Sequence, residues 1–211
     1  MQLTVVDYGV GNLRSIAKSV EKASLENKLK YSIKVSSNIN DIKKSDKLIL
    51  PGQGSFKACK EGINNIDGLD DELNESVINK KKPIFGICAG MQLFATTGYE
   101  EEKTKGLNWI PGDVVKLDFK QSKLKIPHMG WNELNLENPS PVFKDVNTND
   151  HAYFIHSYEF IPKDKSTISL TTNYGKNVIA AVSFKNIYGT QFHPEKSQIT
   201  GINILANFLK I

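Results

Sequence analysis

Arginine is almost missing from this chain. Arg14 is the only one in 211 residues, and lysine carries the rest of the positive charge behind a formal net charge of +4. Readers of nucleic acid or phosphate rely on the planar guanidinium fork, so lysines scattered along the chain argue against that role and for a solvated surface. Cysteine is equally scarce: Cys59 and Cys88 are the only two. So few thiols in a chain this long argue against a disulfide-stapled secreted fold and for a reducing, cytoplasmic setting. No apolar run approaches the ~18 residues of a membrane span. The opening MQLTVVDYG has no basic leader and is interrupted by Asp7, so it does not read as a signal peptide. Repeats and low-complexity linkers are also lacking, and 1–211 reads as one domain, its 39% hydrophobic content enough for a packed core. None of the histidines His128, His151, His156 and His193 forms an H-x-x-x-H pair, so no metal is expected. Gly9-Val10-Gly11-Asn12 opens like a dinucleotide loop, but Arg14 stands where the third glycine belongs, so no cofactor is expected either.

What the chain does have is alternation. Apolar runs at 3–6, 31–35, 47–50 and 84–88 read as buried strands. Between them, Leu13, Ile16, Ala17 and Val20 recur at helical spacing, and 56–63, 69–78 and 91–97 read as helices. Strands and helices in this order predict a parallel sheet covered on both faces. The second half changes character. Segments 113–117, 152–161, 166–172, 179–184 and 187–191 are strand-like, some of them antiparallel, and a last helix spans 198–209. The expected fold is a three-layer α/β domain, its mixed central sheet carrying an antiparallel extension. Lys120, Lys123 and Lys125 read as a solvated hairpin loop.

The segment PIFGICAGMQLF carries the chemistry. Cys88 falls where a strand ends and a helix is expected, with Gly86 and Gly90 two residues to either side. This is the cysteine form of the nucleophile elbow, which lifts a reactive side chain above the sheet. Helix-terminal N–H groups there favour a thiolate and an oxyanion. The competing reading is a buried structural cysteine in a strand-to-helix turn. Cys59 lacks the flanking glycines and reads as a helical core residue. A cysteine nucleophile needs a base. His193 follows a strand-like run, and Pro194 biases it toward an extended backbone, where residues two apart share a face. Glu195 would then sit beside the imidazole and orient it, as the third member of a triad does. A plain surface turn competes with this reading. Cys88 with His193 and Glu195 is the candidate catalytic set.

Here the residues resemble a known family. VVDYGVGNLRSI, LPGQGSF, GICAGMQLF, KIPHMGWNEL, YFIHSYEF and GTQFHPEKSQITGINILANF together cover nearly the whole chain and resemble class I, triad-type glutamine amidotransferases. DYGxGNLRS and PHMGWN resemble more narrowly the glutaminase subunits of imidazole glycerol phosphate synthases, of the histidine pathway. The resemblance implies the flavodoxin-like amidotransferase fold and a glutamyl thioester formed on Cys88. It implies oxyanion donors from Gly52, Gln53, Gly54 and Ala89. Gln92, Glu100, Ser157 and Tyr158 match positions that hold the amino-acid end of glutamine. Asn12, Trp131 and Lys196 match positions facing a (β/α)8 cyclase partner that receives the ammonia. Neither nucleic acid nor membrane is implied as a partner.

Two positions depart from the family pattern. Gln53 stands for the usual valine of the oxyanion loop, and Ala89 for a larger residue after the cysteine. Both act through backbone N–H groups, so activity is expected to survive, with an altered basal rate from the polar Gln53. Other readings stay open: a stand-alone cysteine hydrolase, a pseudo-enzyme that only binds a partner, and a paralogous subunit supplying ammonia for amidino-sugar synthesis.

Overall fold

A computed structural model describes residues 1–119 and 124–211; Lys120 and Lys123 of the basic run lie outside the described residues. The first half alternates strands and helices: β1 (Gln2–Val6), α1 (Leu13–Glu26), β2 (Ser32–Ser36), α2 (Ile39–Lys44), β3 (Lys47–Leu50), α3 (Phe56–Asn64), α4 (Leu69–Asn74) and β4 (Ile84–Ile87). A short helix, α5 (Ala89–Gln92), leads into β5 (Thr97–Glu100), β6 (Glu102–Lys105) and β7 (Gly112–Lys116). The second half holds β8 (His128–Glu133), β9 (Asn135–Leu136), β10 (His151–His156), β11 (Tyr158–Pro162), β12 (Ile168–Asn173), β13 (Asn177–Phe184), β14 (Ile187–Thr190) and α6 (Gln198–Lys210).

The central sheet runs β2-β1-β3-β4-β14-β13-β12-β9. Its first five strands are parallel, and β13, β12 and β9 extend it antiparallel. This is the expected mixed sheet. Every residue of β3, β4 and β14 is buried, because helices cover both faces; this is why, apart from Lys47 and Thr190 at strand ends, their sequences run apolar without alternation. Side chains on successive residues go to opposite layers. Leu3, Val5, Ile49, Phe85 and Ile87 pack with α1 and α6, while Val6, Leu48, Leu50 and Ile84 pack with α2, α3 and α4. Ile16 and Val20 of α1 are almost fully enclosed, and each such side chain contributes roughly 1.5–3 kcal/mol.

Three expectations need correction. The helix expected over 91–97 stops at Gln92, and Thr97 already belongs to a strand. The carbonyls of Leu93, Phe94 and Ala95 are taken by the amides of Leu107, Trp109 and Asn108 at 2.8, 2.9 and 3.0 Å, so the ladder is diverted to a distant segment. The strand expected over 152–161 is two strands, broken at Ser157. β10 pairs with β8 in a two-stranded ribbon, whereas β11 joins a separate four-stranded sheet, β11-β7-β5-β6. The helix expected over 69–78 is α-helical only to Asn74 and continues as a π-turn, Glu75–Asn79. α2, β5, β6, β8 and β9 were not foreseen.

Candidate functional site

The loops after β3, β4 and β14 leave adjacent parallel strands at their carboxyl ends, where open α/β sheets place ligands. Cys88 follows β4 with φ 54° and ψ −115°, a conformation that costs a non-glycine residue roughly 1–3 kcal/mol. It is held there by its amide on the Thr190 carbonyl at 2.8 Å and by its own carbonyl, which accepts from Met91 and Gln92 at 3.0 and 3.1 Å. The flanking glycines are steric necessities. A Cβ on Gly90 would strike the Leu50 carbonyl oxygen, and one on Gly86 would lie 2.7 Å from the Met91 backbone. Gly52 packs against the same turn, where a side chain would run into the Gly90 amide. The β3 loop and the Cys88 turn are thus pressed together. The helix after Cys88 is only four residues long, so local N–H groups, more than a macrodipole, act on the sulfur.

The structure brings His193 and Glu195 to this turn. His193 Nδ1 donates to Glu195 Oε1 at 2.8 Å, and the two side chains are 6% and 1% exposed. Burial pulls the His193 imidazolium down, yet hydrogen bonds to Cys88 and Glu195 and their charges outweigh it and raise it from 6.5 to about 9. β10 holds the histidine backbone: the His193 amide donates to the Tyr153 carbonyl at 3.0 Å, and the Ser197 hydroxyl bridges the His193 carbonyl and the Tyr153 amide.

A cavity of about 270 Å³ opens over Cys88, lined also by Gln53, Gly54, Ala89, Gln92, Glu100 and Pro127, with Ile155, His156, Ser157, Tyr158 and His193. All four expected glutamine-binding positions line it. Glu100 Oε2 accepts from the Phe56 amide at 2.7 Å, and Gln92 Nε2 donates to the Tyr158 carbonyl at 3.0 Å. Burial and the carboxylates of Glu100 and Glu101 raise the Tyr158 phenol. Of the expected oxyanion donors, Gln53, Gly54 and Ala89 face the cavity and Gly52 is buried behind it. Cys59, the other thiol, does not line this cavity. That thiol is a core residue, pushed up to about 11 by burial against the hydrogen bonds of Tyr8 and Gln53. A larger cleft of about 510 Å³, lined by Glu137, Glu159, Lys176 and Ile179 among others, lies away from Cys88.

His156 is not the base. Its Nδ1 donates to the Tyr158 carbonyl at 2.9 Å, its Nε2 accepts from His128 Nδ1 at 3.0 Å, and His128 Nε2 accepts from Asn132 at 3.2 Å. Burial lowers His128 to about 4 and His156 to about 3, so both are neutral. On the outer face of the same ribbon, Met129, Trp131 and Ile155 are exposed at 62%, 48% and 37%. Trp131 packs edge-on to Tyr153 at 6.0 Å, and Lys196 Nζ lies over the Tyr153 ring at 5.6 Å. Tyr153, which sequence reading missed, is therefore what joins Trp131 to Lys196. Asn12 sits on another element, exposed, capping α1 through the Ser15 amide at 3.3 Å.

Comparison with known proteins follows the same lines. The model of the family "Glutamine amidotransferase class-I" matches residues 4–211. A protein of Pelagibacter ubique (strain HTCC1062), "Imidazole glycerol phosphate synthase subunit HisH", is 50% identical over 211 residues, covering 100% of both chains. One of the same name from Rhodopseudomonas palustris is 44% identical over 213 residues, covering 100% of this chain and 99% of the other. Among solved structures, a glutamine amidotransferase aligns with a TM-score of 0.71 at 16% identity, covering 99% of each chain. The glutaminase domain of Trypanosoma brucei CTPS, crystallised with acivicin, gives 0.67 at 16% identity, covering 100% of this chain and 94% of the other. At such identities the last two speak for the fold alone.

Proposed function

The chain belongs to the class I glutamine amidotransferase family, and from that premise we propose that it is the glutaminase subunit of an imidazole glycerol phosphate synthase. It hydrolyses glutamine to glutamate and ammonia, and a (β/α)8 cyclase partner uses the ammonia to make imidazole glycerol phosphate and AICAR in histidine biosynthesis. The observation that carries this reading is that Cys88 and His193 line one cavity, with His193 backed by the buried Glu195 and with Ile155 and His156 of β10 in the cavity wall. Full-length relatives named for the histidine pathway favour it over the amidino-sugar alternative. Two free thiols support a reducing, cytoplasmic setting, and among the described residues no helix is long and apolar enough to cross a membrane.

In this mechanism His193 takes the Cys88 proton, and the sulfur attacks the carboxamide carbon. The tetrahedral oxyanion is held by the Ala89 amide and the Gly52–Gln53–Gly54 loop. Collapse expels ammonia, which receives its proton from His193, and water then cleaves the thioester by the reverse roles. Glu195 keeps the Nε2 side of His193 toward the sulfur. Gln92, Glu100, Ser157 and Tyr158 hold the amino-acid end of glutamine, and Asn12, Trp131 and Lys196 meet the partner.

The test is glutamine hydrolysis by the purified chain, alone and then with a cyclase partner and that partner's nucleotide substrate. Strong stimulation in the complex is expected, and Cys88→Ala should abolish glutamine use while the complex still accepts added ammonia at raised pH. High turnover by the chain alone, indifferent to the partner, would favour the stand-alone hydrolase.

A further inference from the structure

A residue outside the expected set touches the nucleophile. Gln191 follows β14, two residues before His193, and is fully buried. Its backbone is fixed by its amide on the Ala180 carbonyl at 2.8 Å. Its side-chain Nε2 lies 3.6 Å from Cys88 Sγ, and its Oε1 accepts from Gln92 Nε2 at 2.9 Å.

The orientation of an amide is a choice between two flips, and here a backbone group decides it. The Tyr158 carbonyl has no proton to give. Gln92 must therefore turn its nitrogen to that carbonyl, at 3.0 Å. The same nitrogen faces Gln191, so Gln191 must present its oxygen to Gln92 and its N–H group to the sulfur. The Tyr158 carbonyl also fixes His156 as a donor, at 2.9 Å. One acceptor thus sets the direction of the Gln92–Gln191 relay that ends at Cys88.

An N–H group aimed at a thiol gains little, but aimed at a thiolate it makes a charge-assisted hydrogen bond, about twice as strong as a neutral one. The environment is largely buried: Gln191 is 0%, Gln92 5% and Cys88 9% exposed, so little water competes with the N–H group for the charge. On the far side of the sulfur the Ile155 carbonyl, at 3.9 Å, is an acceptor and offers a thiolate nothing. We infer that Gln191 is a further catalytic residue, its carboxamide N–H holding Cys88 in the ionised, attacking form while its oxygen keeps Gln92 aimed at the cavity. The proton released by Cys88 goes to His193, the electron pair stays on sulfur, and Gln191 gains and loses no proton. The inference rests on Cys88 being the nucleophile.

The test needs neither partner nor glutamine. The full chain is alkylated with iodoacetamide across a pH series, and modification at Cys88 is followed by peptide mass analysis, with the buried Cys59 as an internal slow reference. Gln191→Met keeps the length of the side chain and removes its N–H; Gln191→Leu is the second variant, should the first fail to fold. In a folded variant alkylation of Cys88 should slow by about tenfold on the acid side of the series. An unchanged profile in a folded variant overturns the inference. The two readings separate cleanly. If Cys88→Ala loses glutamine turnover while Gln191→Met alkylates like the parent, only the role of Gln191 falls. If Cys88→Ala keeps glutamine turnover, the nucleophile assignment falls and this inference with it.

Discussion

Replacing Glu195 by glutamine keeps the shape of the support beneath His193 and removes its charge. Both partners are enclosed, so their interaction is little screened by solvent. His193 rises from 6.5 to about 9 in spite of its burial, which corresponds to about 3 kcal/mol in favour of the imidazolium. Cys88 is the largest of the raising contacts and Glu195 comes second. Loss of the Glu195 charge should therefore lower His193 by about one pH unit, or about 1.4 kcal/mol. Turnover of glutamine in the complex should fall about 10–100-fold, less than on loss of His193 itself, since members of a triad act as a unit and not additively. Stability carries the same signature. Because the folded value lies above the unfolded one, the stabilisation from His193 is fully present below pH 6.5 and is lost as pH rises through about 9. In Glu195→Gln that alkaline loss should begin at lower pH. The assay is an NMR titration of the His193 ring protons, paired with steady-state glutamine turnover. Titration still near 9 in the variant, or a rate loss equal to that of His193→Ala, would refute the role given to Glu195.

Two further outcomes are expected. His128 and His156 are held neutral, at about 4 and about 3, so their stabilisation is present above pH 6.5 and lost as pH falls; between pH 7 and 5 this amounts to about 2 kcal/mol for each, against a gain under ~1 kcal/mol from His193. Urea unfolding at the two pH values measures it, and equal midpoints would show that the pair does not titrate as described. Trp131→Ala should leave the free chain within about 1 kcal/mol of the parent, because the indole is half exposed. It should weaken cyclase binding by about 2 kcal/mol, roughly 30-fold, as loss of a central aromatic anchor does; calorimetric titration giving an unaltered affinity would move the docking face elsewhere.

The parallel core was legible because strands buried on both faces are mostly apolar, and β3, β4 and β14 are, apart from Lys47 and Thr190 at strand ends. The turn at Cys88 was legible because its glycines are demanded by backbone contact, which leaves a mark in sequence that packing preferences do not. What escaped is what depends on distant partners. The helix after Cys88 looks longer in sequence because nothing local records that the amides of residues 107–109 take its carbonyls. β8 was obscured because its inward positions are His128, Gly130 and Asn132 while the apolar Met129 and Trp131 face outward, the reverse of the usual pattern. Gln191 could have been noticed as a polar residue at the end of an apolar strand, two positions before His193. Tyr153 left no signal of its own; its place depends on the register that sets it opposite Trp131.

That register also bears on how ammonia is handled. The ribbon alternates strictly: Ala152, Phe154, His156 and His128 are buried against the body, while Met129, Trp131 and Ile155 face outward. The Ile155 carbonyl is within 3.9 Å of the Cys88 sulfur, and the Ile155 side chain is on the exposed face. One strand therefore separates the nucleophile from the surface proposed to dock the cyclase. A partner covering that face would sit one strand away from the site where ammonia leaves Cys88. At this wall Lys196 lies over the Tyr153 ring, and both belong to segments tied to His193 through Ser197, whose hydroxyl accepts from the Tyr153 amide and donates to the His193 carbonyl.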